Sequence, residues 1–509
     1  MSPVQRLARW LLGETAAKRS YAAGQPSRLS FGGVQPYTSS EDQGLATSLV
    51  TMRNRSRAAI RDNAIAQGVR QSLVNSVIGP SGVGMDPDVW LKNGEPNRRV
   101  NDDIRQAWNA CKDRLDIGAR NSFADLERLL FAEVVATGEV FVRVHRFAAS
   151  GSKIALSLEV IEAERIAGEL EGPNVSPAPG NVMKMGVEVD RFGRAVAYYV
   201  RTRHPGEARW GNGSETDKVE RVPASEILHI CPTSRWPQTR GVPMLHAVLR
   251  TLTDVDAYSA AEIARARVQA ASPITIETPE SQASFAEQQE DGTYEVNLEP
   301  GMVTRLAPGE KLNASPVNAP NPAFAEFMRS KYREVAVGIG LPYTSVSGDY
   351  SQSNYSSARL ENLVARDTFK ALQQTYINQF RKPLHRLFVQ TAAMSGLLKT
   401  LPVDRFALDM ETYEAAMFYP RGFVYVDPQK DIAANVEAIN NGLTSRTAAL
   451  ANGDGRTVED VFAELARENE LAASYGLTFV ATKPDPATAE KKPEASNEEN
   501  DTATKLQAD

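Results

Sequence analysis

Apolar residues recur at helical spacing over several stretches of the chain, and the longest runs from Ser357 to Leu398. About forty residues at 1.5 Å each would make a rod on the order of 60 Å long. Its pattern is broken only at Pro383, where a missing amide predicts a kink. So long a helix must lean on neighbours rather than on a small domain of its own. A polar loop, 343–357, precedes it. Before that loop a helix is predicted over 321–339, with Phe324, Phe327, Val335, Val337 and Ile339 set among Arg329, Lys331, Arg333 and Glu334. Gly338, Gly340 and Pro342 end it.

Nearer the N-terminus, order is expected to begin near Ser48. One helix continues through Ile60, Val69, Leu73, Val74 and Val77 to Ile78, and the Gly/Pro cluster at 79–84 stops it. Helices follow near 101–111 and over 122–137, with Ser122 as the N-cap of the second. Gly138 then switches the period from 3.6 to 2, giving a half-buried strand over 139–146. Further strands are expected at 155–161, 187–189, 195–200 and 227–230, separated by Pro- and Gly-rich loops.

From Gly241 the pattern is helical for about thirty residues, with Pro243 in the first turn. Leu245, Val248, Leu249, Leu252 and Val255 form an apolar stripe before the helix turns Ala-rich. Short strands at 274–276, 294–298 and 302–306 form an insertion bracketed by two helices. Its core is too thin to stand alone, so it should pair with copies of itself. Phe406, Leu408 and Met410 alternate towards Phe418, and helices are expected over 427–439 and 457–475. The ends differ in kind: a short amphipathic docking helix and an extended arm before residue 49, and a polar, net acidic tail over 482–509. The fold class is therefore α+β.

The 509 residues are 42% hydrophobic with a formal net charge of -6. That balance excludes a protein that grips nucleic acid over its whole surface. Cys111 and Cys231 lie far apart without metal or redox spacing, which reads as free structural thiols in a reducing compartment. No run reaches the ~18 apolar residues of a membrane span, and Arg6 and Arg9 interrupt the N-terminal segment too early for a signal peptide.

Candidate chemistry is sparse. The 79–84 glycines follow a helix and lack GxxxxGK[ST]. The histidines (His145, His204, His229, His246, His385) are scattered, with no HExxH or zinc spacing. No GxSxG elbow occurs. Asp254 and Asp256, two apart on a helix, read as a solvated face. No catalytic, cofactor or metal residue is expected. The candidate site is the polar loop, with Ser347, Asp349, Tyr350, Ser351, Gln352, Ser353, Asn354 and Tyr355 and no Lys or Arg before Arg359. Such a loop could touch a polyanion through neutral contacts and release it, whereas a basic loop would bind phosphates in a salt-dependent grip. A surface loop without function fits the composition equally well.

Several segments, taken in order, resemble the lambda-type portal proteins of tailed phages. They are Arg57-Ala58-Ala59-Ile60-Arg61-Asp62-Asn63 with Val77-Ile78-Gly79, then Gly138-Glu139-Val140-Phe141 and Ile161-Glu162-Ala163-Glu164-Arg165-Ile166. Gly186-Val187-Glu188-Val189-Asp190, Val222-Pro223-Ala224-Ser225-Glu226-Ile227-Leu228-His229 and Gln238-Thr239-Arg240-Gly241-Val242-Pro243 follow. Asp349-Tyr350-Ser351, Asn354-Tyr355-Ser356-Ser357 and Val426-Asp427-Pro428-Gln429-Lys430 complete the series.

The resemblance implies a non-enzymatic ring, usually of twelve subunits, at one capsid vertex. Double-stranded DNA would be packaged and ejected through it. Implied partners are the large terminase subunit, the major capsid protein and scaffold, and head-completion or neck proteins, with no membrane and no cofactor. The implied location is the virion, after assembly in the host cytoplasm. Mapped onto this chain, 1–48 is an arm, 49–240 the wing, 241–272 and 321–340 the stem helices, and 273–320 the clip. Residues 341–357 would be the tunnel loop, 358–400 the long kinked wing helix, 401–481 the C-terminal wing and crown helices, and 482–509 the tail. The alternative is a phage enzyme acting on DNA or cell wall through an unrecognised active site.

Overall fold

The computed structural model describes residues 39–149, 151–168, 177–207, 218–270, 323–351, 355–423, 428–453 and 458–477, with strand segments at 274–277, 287–288, 294–295 and 311–314. The expected docking helix, the acidic tail and the strand at 302–306 lie outside these residues.

Helix α1 spans Glu41–Asp62, so order begins before the expected Ser48. The reason is local: Ser40 caps the helix by accepting from Gln43 N, and Glu41 and Asp42 sit in the first turn, where the helix dipole favours acids. The single helix predicted through to Ile78 is two. Asn63 adopts an extended conformation, accepts from Ala66 N at 2.8 Å and so caps α2, Ala64–Val77. Its side-chain amide also donates to Asp256 at 2.7 Å, so that aspartate, read as solvated, ties two distant helices together.

Strand β1 (Gly84–Pro87), α3 (Arg98–Cys111) and α4 (Phe123–Thr137) follow. Ser122 caps α4 and Gly138, at φ 87°, ends it, both as expected. Strands β2 (Val140–His145), β3 (Ser157–Ile161), β4 (Val182–Lys184), β5 (Val187–Val189), β6 (Ala195–Arg201), β7 (Val219–Pro223) and β8 (Ile227–Ile230) form two antiparallel sheets, ordered β3-β2-β8 and β4-β5-β6-β7. In β2 alternation sorts residues between two cores. Val140, Val142 and Val144 face the helices. Phe141 faces the other way, into a core with Ile161, Val187, Tyr198 and Val222 from both sheets. That end of β2 is therefore buried on both faces rather than on one.

Helix α5 spans Leu249–Ala270. It does not begin at Gly241: 241–243 has no regular secondary structure and 244–248 forms turns. Ladder β9 (Ile274–Glu277) with β12 (Lys311–Ala314) and the short pair β10 (Glu287–Gln288) with β11 (Tyr294–Glu295) come next. Helix α6 is Phe324–Ile339. Thr251 donates to Glu334 at 2.8 Å, and the Tyr258 ring lies 4.7 Å from Phe327, so α5 and α6 run antiparallel side by side. A side chain on Gly338 would meet Val248, in the turn just before α5, at 2.6 Å, so α6 packs closely there.

The segment predicted as an uninterrupted polar loop is partly helical. Helix α7 is Tyr343–Ser347, and α8, Tyr355–Tyr376, already begins at Tyr355. The long helix is not a regular rod with one break at Pro383. A π segment, Ile377–Arg381, interrupts it first, and α9 is Lys382–Met394. Helices α10 (Val403–Leu408) and α11 (Met410–Tyr413) replace the expected alternation. Strand β13 (Ala416–Tyr419) pairs with β1, Met85 opposite Phe418. Helices α12 (Pro428–Asn440), α13 (Arg446–Gly453) and α14 (Val458–Ser474) complete the described chain.

Candidate functional site

Two places concentrate the polar chemistry. The first is the predicted loop. Pro342 starts α7 and Gly348, at φ 67°, ends it in the left-handed region that favours glycine. Ser347 Oγ donates to Tyr343 O and accepts from Asp349 N, closing the turn. Asp349 accepts from Ser351 Oγ at 2.6 Å and from Ser351 N at 3.0 Å, and these bonds hold its carboxyl below the usual range. Tyr350 points outward, 67% exposed. Gln352, Ser353 and Asn354 lie outside the described residues, as does the side chain of Tyr355.

The loop is less free of positive charge than its sequence suggests. Helix α6 brings Arg329 to 3.5 Å from Asp349 and lays Arg333 over the Tyr343 ring at 5.4 Å. Tyr343 N is held by Glu361 of α8 at 2.8 Å. Between α6 and α8 an apolar cleft of about 630 Å³ opens, lined by Val337, Leu341, Leu360 and Val364. Cations three and four turns before the loop are a signal the loop's own composition cannot carry.

The second place went unnoticed in the sequence. Glu139, fully buried, accepts from Arg240 Nε at 2.8 Å, from His229 Nε2 at 3.1 Å and from Gly241 N at 2.8 Å, and Arg240 Nη2 is ion-paired with it at 2.6 Å. Burial pushes its carboxyl up, but Arg240 and His229 outweigh that and hold it down to about 2. Arg240, itself buried, also donates to Met185 O and Ala163 O. Around this pair Arg57 forms a fork on Glu164 (2.7 and 2.9 Å) and reaches Glu133 at 2.8 Å. Asp42 holds Thr239 N at 2.7 Å and Lys184 at 2.8 Å. Backbones approach so closely that a side chain on Gly138 would meet Val242 at 2.2 Å, and one on Gly241 would meet Gly138 O at 2.2 Å.

These segments are scattered over two hundred residues, yet they include several of those that carried the resemblance: 57, 138–139, 162–165 and 238–241. Part of what was legible as a string of weak motifs lies in these buried and half-buried ion pairs.

Glu139, His229 and Cys231 bring ligand atoms within 4.8 Å of one another, a spacing a cation could use. The donor set argues against it: Arg240 already neutralises the carboxylate, and burial pushes the Cys231 thiol up, keeping it protonated. Pro383 stands in the first turn of α9, two residues past the end of the π segment. Gln379 fixes that segment by bonding both Cys231 N (2.8 Å) and Cys231 O (3.0 Å), and Gln373 donates to Val77 O and Arg421 O. Among the described residues no helix is long and apolar enough to cross a membrane.

Two sheets joined to helices by buried ions, a pair of antiparallel helices bracketing a small β insertion, and a long helix after a tight loop define a mixed α+β subunit. The family model described as "Phage portal protein, lambda family" matches residues 28–373, and the chain belongs to that family of phage portal proteins, which are structural components rather than enzymes. The probable portal protein of Halomonas phage phiHAP-1 is 26% identical over 439 residues, covering 84% of this chain and 81% of that protein. Portal protein B of Escherichia phage lambda is 22% identical over 496 residues, covering 90% and 91%. Among solved structures, a chain of the neck of a native gene transfer agent particle is 14% identical at a TM-score of 0.41, covering 84% of this chain and 98% of that one. An HK97-family phage portal protein from Corynebacterium diphtheriae is 12% identical at a TM-score of 0.29, covering 74% and 96%.

Proposed function

We propose that this portal protein assembles into a ring of twelve copies at one capsid vertex, with residues 347–355 facing the double-stranded DNA that passes through. Membership of the portal family carries this reading. In that role 49–240 acts as wing, α5 and α6 as stem, 273–320 as clip, and the C-terminal helices as crown. The clip side meets the large terminase subunit and later the neck proteins, and the wing meets the major capsid protein and scaffold. The loop's construction supports a sliding contact: Asp349 is committed to Ser351 and Arg329, leaving Tyr350 as the outward group, so phosphates meet no cation of the loop itself and Arg329 comes already paired. Exposed apolar Val337, Leu360 and Val364 beside the loop suit contact between neighbouring copies.

Removing residues 350–354 while keeping Ser347 and Asp349 tests the loop. Rings of normal size by negative-stain microscopy, with DNA packaging or retention reduced, are expected. Wild-type packaging would reduce the loop to a passive linker, and a purified chain that forms no ring under any assembly condition would remove the reading altogether.

A further inference from the structure

Between β8 and Arg240 the chain makes a loop whose residues 233–237 are all exposed, and Trp236 in it is 79% exposed. The loop beneath the indole is nonetheless closely tied. Gln238 accepts from Ser234 N at 2.9 Å and donates to Arg240 O at 2.8 Å. Thr239 donates to Asp42 from its backbone N at 2.7 Å and from its hydroxyl at 2.9 Å. Arg235, next to the indole, donates to Ser39 O at 3.0 Å and lies 3.6 Å from Glu41. Tryptophan is the side chain most favoured as a contact anchor, and one on a fixed support has little conformational freedom left to lose when it is covered.

The same bonds fix where the N-terminal arm joins the body. Ser39, the first described residue, is tied to Arg235, so the chain before it arrives beside Trp236. Tyr37 stands two residues earlier, at most about 7 Å of extended chain, and Pro36 at most about 11 Å. Both lie within reach of the indole. Proline also restricts its own φ and biases the residue before it towards extended backbone, so Gln35-Pro36-Tyr37 brings two rings with reduced freedom to lose.

We propose that Trp236 is the docking point of the N-terminal arm, with Pro36 and Tyr37 of the same chain packed on the exposed face of its indole. Aromatic rings pair favourably when offset or edge-on, beyond the area they bury. The tether decides between the chain's own arm and a second copy, because a link of two or three residues holds its end at an effective concentration on the order of millimolar. Docking there sets the direction in which residues 1–35 leave the body of the protein.

The test is tryptophan fluorescence of the full chain with acrylamide as quencher. For each protein the spectrum of its Trp236→Phe counterpart is subtracted, so that Trp10, Trp90, Trp108 and Trp210 cancel. The Trp236 signal of the wild type is expected to be blue-shifted and shielded from acrylamide. Pro36→Ala combined with Tyr37→Ala, and separately removal of residues 2–37, should each shift it to the red and increase its quenching. Tyr37→Phe keeps the ring and should stay shielded. An indole so exposed to the described residues adds little to the core, so Trp236→Phe should melt at the wild-type temperature, which validates the subtraction.

A Trp236 signal that is already red and freely quenched in the wild type overturns the proposal and leaves the indole in water. Shielding that survives loss of the arm overturns it as well. If that surviving shielding disappears on dilution to single chains, followed by sedimentation velocity, the cover is a second copy.

Discussion

Glu139→Gln is the sharpest probe of the ion network. The substitution keeps the shape but removes the charge that answers buried Arg240. Two routes give its magnitude. Linkage uses a carboxyl held at about 2 in the folded chain against an ordinary 4.5; at 1.36 kcal/mol per pKa unit this is about 3 kcal/mol. Breaking one partner of a buried ion pair typically costs about 3–5 kcal/mol. The two agree in order of magnitude.

Urea denaturation at pH 7, followed by circular dichroism, should therefore show Glu139→Gln about 3 kcal/mol less stable. Glu139→Leu combined with Arg240→Met should recover much of that, since neither then leaves a lone buried charge. The sign in pH follows from a depressed carboxyl. The stabilisation is complete above the ordinary value near 4.5 and is lost as pH falls through 4.5 towards 2, so wild type and variant converge at acid pH. A variant within about 0.5 kcal/mol of wild type at pH 7, the ordinary effect of a surface change, would refute the network as the fastening between the sheets and the helices.

His385 sits buried with neither ring nitrogen bonded, and burial, with Arg381 and Arg386, lowers it to about 3. Its unfolded form takes a proton near 6.5, so stability drains as pH falls from 6.5 towards 3; His385→Leu should flatten the decline between pH 6.5 and 4.5, and an unaltered slope there would exclude the histidine. Gly138→Ala combines a left-handed φ with backbone at 2.2 Å and should cost about 2–5 kcal/mol or leave the chain insoluble, whereas a soluble variant with a wild-type denaturation midpoint would contradict that contact. Pro383→Ala returns an amide to the first turn of α9 and should straighten the path from α8 to α9 in a variant structure. If the path is unchanged, Gln379 and the π segment hold it instead.

Local rules made much of the secondary structure legible. Periodicity placed α3, α4, α6 and most of β2, β3, β5, β6 and β8. Ser122 and Gly138 marked their boundaries because a cap and a left-handed residue act within one turn. Where the sequence misled, the cause lay within a few residues: Ser40 started α1 early, Asn63 split it from α2, and Tyr343 and Tyr355 proved to open helices. The family resemblance was also legible, since its motifs persist in order along the chain.

Tertiary structure alone decided what those motifs do. Pairing of β1 with β13 spans more than three hundred residues, and neither strand has a pattern that names its partner. Arg57, Glu139, Glu164 and Arg240 look like ordinary surface charges in a sequence, because burial is a property of what packs over a residue. The same holds for the loop. Its neutral composition was written in the chain, but Arg329 and Arg333 reach it only because Gly340 turns the backbone back on α6. Period and capping are fixed by neighbours in sequence, whereas desolvation and ion pairing depend on neighbours in space.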